Sequence, residues 1–120
     1  MNTVITKRFT FESAHKIPHH QGKCKHIHGH SYILEVSVSG EIQTTGPEEG
    51  MVIDFKTLSD VVDREIINQW DHQYLNDLVP FTPTAELLAQ ECFKRIKHAG
   101  ISVCRVRLWE TAKCFVEVTE

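Results

Sequence analysis

At 120 residues, of which 41% are hydrophobic, the chain is long enough for one domain with a buried core, and it is no disordered segment. Its formal net charge of −3 with neutral histidines gives no basic surface for a phosphate backbone. No run is long enough to span a membrane, and Met1–Arg8 lacks an apolar signal core, so a cytoplasmic protein that binds neither nucleic acid nor membrane is expected.

The first strand is predicted over about Val4 to Phe11, where Ile5, Phe9 and Phe11 share one parity that continues through Ser13 to His15. A loop from Lys16 to Ile27 follows, broken by Pro18 and Gly22. The second strand is predicted over about His28 to Glu41, with Tyr32, Leu34, Val36 and Val38 inside and Glu35, Ser37 and Ser39 outside. Gly46–Gly50 is a turn and Met51–Ile53 a short extended piece. Asp54 is a good N-cap for a helix running to about Trp70, with Phe55, Leu58, Val62 and Ile66 at helical spacing. A second helix is expected to open at Thr82-Pro83, to carry Leu87, Leu88, Cys92 and Ile96 inward and to stop at Gly100. The last strands are predicted at about Ile101–Trp109 and Cys114–Thr119. The order β-β-α-α-β-β describes an α+β domain: a four-stranded antiparallel sheet with two helices on one face and two open edges that favour oligomerisation.

Chemistry concentrates in Cys24-Lys25-His26-Ile27-His28-Gly29-His30. Side chains at i and i+2 of a strand share a face, so His28 and His30 can present two imidazoles to one point. If the first two strands form an antiparallel hairpin, His15 falls at the same end and on the same face. Three imidazoles then make a metal site with one open position, the form of a catalytic zinc centre. Imidazole ligation suits zinc over calcium or magnesium but also admits copper, nickel or iron(II). His19 and His20 lie in the turn around Pro18, and His26 lies in the loop, so all three are weaker ligand candidates.

None of the four cysteines forms a C-x-x-C pair, and free thiols are expected. Cys92, Cys104 and Cys114 read as small buried hydrophobes. Cys24 lies in a Lys- and His-rich loop, where it is either a fourth zinc ligand or a free thiolate beside the metal. The Asp71-His72 pair is either a carboxylate orienting an imidazole for proton transfer or a chance pair at a helix end. Glu110 is either a solvated strand end or an acceptor for two hydrogen bonds from an amino-pyrimidine edge. Lys16, Lys23 and Lys25 attract an anionic substrate or keep the loop soluble.

Across essentially its whole length the chain resembles the 6-pyruvoyltetrahydropterin synthase superfamily, and within it the bacterial carboxytetrahydropterin synthase branch. The matching pieces are Phe11–His15, Cys24–His30, Ile53-Asp54-Phe55, Asp71–Asp77, Pro83–Glu86 and Trp109-Glu110-Thr111. The resemblance implies a tunnelling fold (T-fold), in which three sheets form a twelve-stranded barrel and two trimers stack into a hexamer with active sites between subunits. It implies zinc on His15, His28 and His30, a catalytic Cys24, a catalytic Asp71–His72 pair and a pterin-anchoring Glu110. Three residues between Cys24 and His28 match the carboxytetrahydropterin branch; the animal pyruvoyl enzymes usually carry a longer insertion, and a third branch has glutamate in place of this cysteine. Gln73 departs from close relatives, which often have a second histidine there. The implied reaction is a zinc-dependent lyase step that converts 7,8-dihydroneopterin triphosphate to 6-carboxy-5,6,7,8-tetrahydropterin, acetaldehyde and triphosphate on the way to queuosine and other deazapurines. Its rivals are a pyruvoyl synthase that retains the side chain, an aldolase-like activity releasing glycolaldehyde, and a zinc-binding protein without catalysis.

Overall fold

A computed structural model describes residues 1–120. Strand β1 (Thr3–His15) pairs antiparallel with β2 (His28–Gly40), in register from Thr3 opposite Gly40 to His15 opposite His28. The alternating residues set that register, because a one-residue slip would turn every apolar side chain to solvent. Phe9, Phe11, Tyr32, Leu34, Val36 and Val38 are all buried on one side.

Asp54 caps α1 (Phe55–Val62) by accepting a hydrogen bond from Lys56 N at 2.8 Å. The predicted helix does reach Trp70, but a π-helical turn at Asp63–Ile67 interrupts it before α2 (Asn68–Trp70). The reason lies in the spacing. Leu58, Val62, Ile66 and Trp70 recur every four residues, which drifts by about 40° per step on a helix of 3.6 residues per turn. One widened turn takes back most of that drift, and all four side chains are at most 1% exposed. Phe55, expected on the inner face, instead projects outward at 50% exposure.

A two-residue strand β3 (Gln73–Tyr74), not predicted, pairs parallel with Ser13 and Ala14 of β1. Helix α3 (Ala85–His98) starts later than Thr82-Pro83 suggests. Its N-cap is Thr84, whose hydroxyl accepts from Leu87 N at 3.2 Å. Pro83 therefore lies outside the helix. Leu88, Ala89, Cys92, Phe93 and Ile96 form the inner stripe, while Leu87 is 38% exposed. The chain leaves α3 through Gly100, whose φ of +94° favours glycine.

Strands β4 (Val103–Thr111) and β5 (Cys114–Thr119) complete an order β3-β1-β2-β4-β5. The four long strands are antiparallel, with both helical segments on one face, as expected for the α+β class. Of the cysteines expected to be buried, only Cys92 is; Cys104 is half-buried and Cys114 exposed, since a six-residue edge strand has no layer over it there.

Candidate metal centre and active site

The end of the β1–β2 ladder holds the densest chemistry in the molecule. His15 lies directly opposite His28, and His30 lies opposite Ser13, so all three imidazoles fall on the core side of the hairpin. Their ring centroids are 4.5, 4.9 and 5.1 Å apart. One nitrogen from each lies within 4.8 Å of the others, a cluster that can hold a metal ion.

The backbone fixes which nitrogen faces inward. His15 Nδ1 donates to the Pro83 carbonyl at 2.8 Å, with the Tyr32 hydroxyl 3.4 Å from the same nitrogen. Pro83 precedes the N-cap of α3, so its carbonyl is not spent on the helix. His28 Nδ1 donates to the His26 carbonyl, also at 2.8 Å. In both rings the proton is thereby placed on Nδ1, leaving Nε2 as a bare lone pair. The Nε2 atoms of His15, His28 and His30 are all buried and without a hydrogen-bond partner. Three unpartnered nitrogens aimed at one point, two of them bare acceptors, are costly in a protein interior unless a cation takes them up. Burial also holds the His30 pKa below its usual value, partly opposed by Glu110 and reinforced by the neighbouring imidazoles. That favours the neutral, ligating form.

Cys24 sits in a 3-10 turn, Lys23–Lys25, pinned where Ile17 N donates to the Cys24 carbonyl at 2.7 Å. It is half-buried and lies outside the cluster of convergent ligand atoms. It does line a cavity of about 400 Å³ that also contains His15, His20, Glu110 and Cys114.

Glu110 reaches this cavity because of a β-bulge. Trp109 pairs with Phe115 and Thr111 with Cys114, which leaves residue 110 out of the ladder. Its two carboxylate oxygens lie 3.7 Å from His30 Nε2 and 4.0 Å from His15 Nε2. At 30% side-chain exposure it is no freely solvated strand end.

Asp71 and His72 lie elsewhere. Asp71 accepts from His72 Nδ1 at 2.9 Å and from Glu12 N at 2.9 Å, and His72 N donates to the Glu12 carbonyl at 2.6 Å. These bonds, from the Glu12 backbone first, hold the Asp71 carboxyl below its ordinary pKa. His72 adopts φ +59°, the one positive φ outside glycine. Its side chain is 78% exposed and borders a second depression, of about 460 Å³, with Glu12, His30, Ser31 and Gln73. Asp71 itself is 38% exposed. The pair does not line the cavity that holds Cys24 and Glu110, although His30 borders the depression beside His72. The orienting carbonyls of His26 and Pro83, the Tyr32 hydroxyl and the Glu12 backbone clamp were all missed from sequence. Only a correct placement of the α3 N-cap would have signalled one of them, Pro83.

The sequence model of the 6-pyruvoyl tetrahydropterin synthase family matches residues 4–120. A 6-carboxy-5,6,7,8-tetrahydropterin synthase of Haemophilus influenzae is 36% identical, over 97% of this chain and 98% of that protein. One from Synechocystis is 44% identical, over 82% of this chain and 78% of that protein. The solved structure of Caenorhabditis elegans 6-pyruvoyl tetrahydropterin synthase superposes with a TM-score of 0.85 at 24% identity, covering 100% of this chain and 96% of that one. Fold and sequence agree over nearly the full length, and the chain belongs to the 6-pyruvoyl tetrahydropterin synthase family.

Proposed function

We propose that the protein is a zinc-dependent lyase that converts 7,8-dihydroneopterin triphosphate and water to 6-carboxy-5,6,7,8-tetrahydropterin, acetaldehyde and triphosphate, a step of queuosine and deazapurine synthesis in the cytoplasm. The observation that carries this reading is the convergence of three unpartnered Nε2 atoms beside a cavity that also holds Cys24 and Glu110. The near full-length similarity to proteins named for this activity supports the choice of substrate.

Zinc suits an all-imidazole set, and when bound it supplies Lewis-acid polarisation of substrate oxygens. His15, His28 and His30 would hold it, and two of the rings are already oriented by backbone carbonyls. Cys24 removes or returns a proton at the substrate side-chain carbon. Asp71 holds the Nδ1 proton of His72, which leaves the far nitrogen to exchange a hydroxyl proton during carbon–carbon cleavage. The Glu110 carboxylate accepts two N–H bonds from the planar pterin edge.

Because His72 is largely exposed and does not line the cavity that holds Cys24 and Glu110, the complete site in this reading takes Cys24 and the histidines from one subunit and Asp71–His72 from another. A homo-hexamer of two stacked trimers meets that need. Strand β5 pairs only with β4, and β1 is covered on its outer edge only at Ser13 and Ala14, so both sides of the sheet are open to a second copy.

Zinc-loaded protein given dihydroneopterin triphosphate should release acetaldehyde and triphosphate in equal amounts. Triphosphate without acetaldehyde would instead make the protein a pyruvoyl synthase, and glycolaldehyde would make it an aldolase. No turnover together with a sulfur atom in the zinc shell would leave a non-catalytic metal protein.

A further inference from the structure

We propose that His20 holds the phosphate tail of the substrate through its Nε2–H, and that Gly22 leaves the space in which the His20 ring is seated. This rests on the reaction proposed above, and it gives the anionic end of that substrate a place in the cavity lined by Cys24.

The first observation is a tautomer. Gly22 N donates to His20 Nδ1 at 2.9 Å, so that nitrogen supplies a lone pair and the ring proton lies on Nε2. His15 and His28 are wired the other way, with Nδ1 donating to a carbonyl and Nε2 bare. A bare nitrogen suits a cation, and an N–H suits an anion. Yet His20 lines the same cavity as His15, Cys24 and Glu110. On that wall it carries the one free side-chain N–H, since the proton of His15 is taken by the Pro83 carbonyl. The second observation is a cradle. A Cβ at Gly22 would stand 3.0 Å from His20 Cε1 and 3.2 Å from its Nδ1. Gly22 has φ −111°, an ordinary value for any residue, so this glycine serves the neighbouring ring and not the backbone.

The third observation is a division of charge. His20 N donates to the Ile17 carbonyl at 3.0 Å and Ile17 N to the Cys24 carbonyl at 2.7 Å, which fixes His20 and the thiol on one closed loop. From Ser13 to Leu34 there is no carboxylate, and the loop carries Lys16, Lys23 and Lys25. The acidic groups of the cavity, Glu86 and Glu110, come instead from α3 and β4. The substrate is divided in the same way, with N–H groups on its pterin edge and phosphates at the end of its side chain. A hydrogen bond to a charged oxygen contributes about 10–100-fold in affinity. The lysines attract any anion, whereas a seated ring reaches one point and so separates a phosphorylated pterin from one without phosphate.

The test measures binding to the zinc-loaded full-length protein by calorimetry, with inorganic triphosphate and unphosphorylated dihydroneopterin as the two probes. His20→Ala should weaken triphosphate binding by about 10–100-fold and leave dihydroneopterin binding as in wild type. His20→Gln keeps an N–H donor and should recover part of the loss. Gly22→Ala should reproduce the loss with His20 still present, because its methyl group displaces the ring. All three should retain zinc and wild-type melting, since His20 is exposed and lies outside the ligand cluster. Triphosphate binding unchanged in His20→Ala would overturn the proposal, as would equal loss of both probes or a glutamine variant no better than alanine. Wild-type binding in Gly22→Ala would overturn the role of the cradle. A wild-type protein that binds neither probe would instead remove the reaction proposed above, a distinct result.

Discussion

The two candidate reactive regions are built on opposite terms. At the histidine pole the three inward nitrogens are buried and come from one hairpin, and the Pro83 and His26 carbonyls assign the protons of two rings. The Asp71–His72 corner is exposed, hangs from the backbone of a single residue, Glu12, and has a residue in the left-handed region. Both are tied to β1, the first through His15 and the second through Glu12. Parity explains the difference. His15 continues the apolar stripe of β1 and enters the core side, whereas Glu12 belongs to the outward set and offers its backbone to the neighbouring segment. A metal site can be finished inside a chain, since buried donors only need an ion. A proton-transfer pair that stands in solvent gains its low-dielectric surroundings only when something covers it.

The comparison breaks most sharply at the pole. His28→Ala removes one of three donors and should abolish metal retention, with turnover falling by about 10³-fold or more for the several kcal/mol that the ion contributes. Metal analysis and a turnover assay on the same sample check both. Full metal content in that variant would mean that the hairpin histidines are not the ligands.

Cys24→Ala should leave metal content and thermal stability as in wild type, because the thiol is outside the ligand cluster and only half-buried. Turnover should fall by about 10²–10⁴-fold, the usual consequence of losing a general base. A variant that loses metal instead would make Cys24 the fourth ligand.

The sharing of the site between subunits has its own test. Cys24→Ala and His72→Ala are each expected to be nearly inactive alone. Unfolded together and refolded as mixed oligomers, they should regain about a quarter of wild-type activity, since random assembly gives that share of interfaces an intact Cys24 and an intact His72. No recovery from verified mixed oligomers would place both groups in the same subunit's site and refute the division drawn above.

How much of this the sequence disclosed follows the same split. Strand parity placed His15, His28 and His30 correctly because period-2 geometry is rigid and the hairpin register ties the ends together. Residue-level reading could not see the bulge that aims Glu110, since Trp109-Glu110-Thr111 carries no glycine or proline to mark it. It placed the start of α3 at Thr82-Pro83, and with that error it lost the carbonyl that sets the His15 tautomer. It read residues 55–70 as one regular helix because apolar residues four apart satisfy the helical pattern whether or not one turn widens. Strand β3 is two residues long, too short for any period to appear. Local patterns fix which face a side chain takes. They do not fix the irregular backbone that brings distant groups to that face.

The smallest effect concerns the strain at His72. A non-glycine residue at positive φ costs about 1–2 kcal/mol, and His72 sits at +59° with its N–H committed to Glu12. Glycine would relieve that strain while losing roughly 0.4–1 kcal/mol through its freer unfolded chain. His72→Ala and His72→Gly both delete the imidazole and its bond to Asp71, so their difference isolates the backbone. The glycine variant should be the more stable of the two by about 0.5–1 kcal/mol in denaturant melts, with neither active. An alanine variant more stable than the glycine one by roughly 0.4–1 kcal/mol, the unfolded-chain effect alone, would show that residue 72 is unstrained. The expected ordering would mean that the chain accepts a backbone penalty at this corner, where glycine would fold better, and keeps an imidazole facing outward.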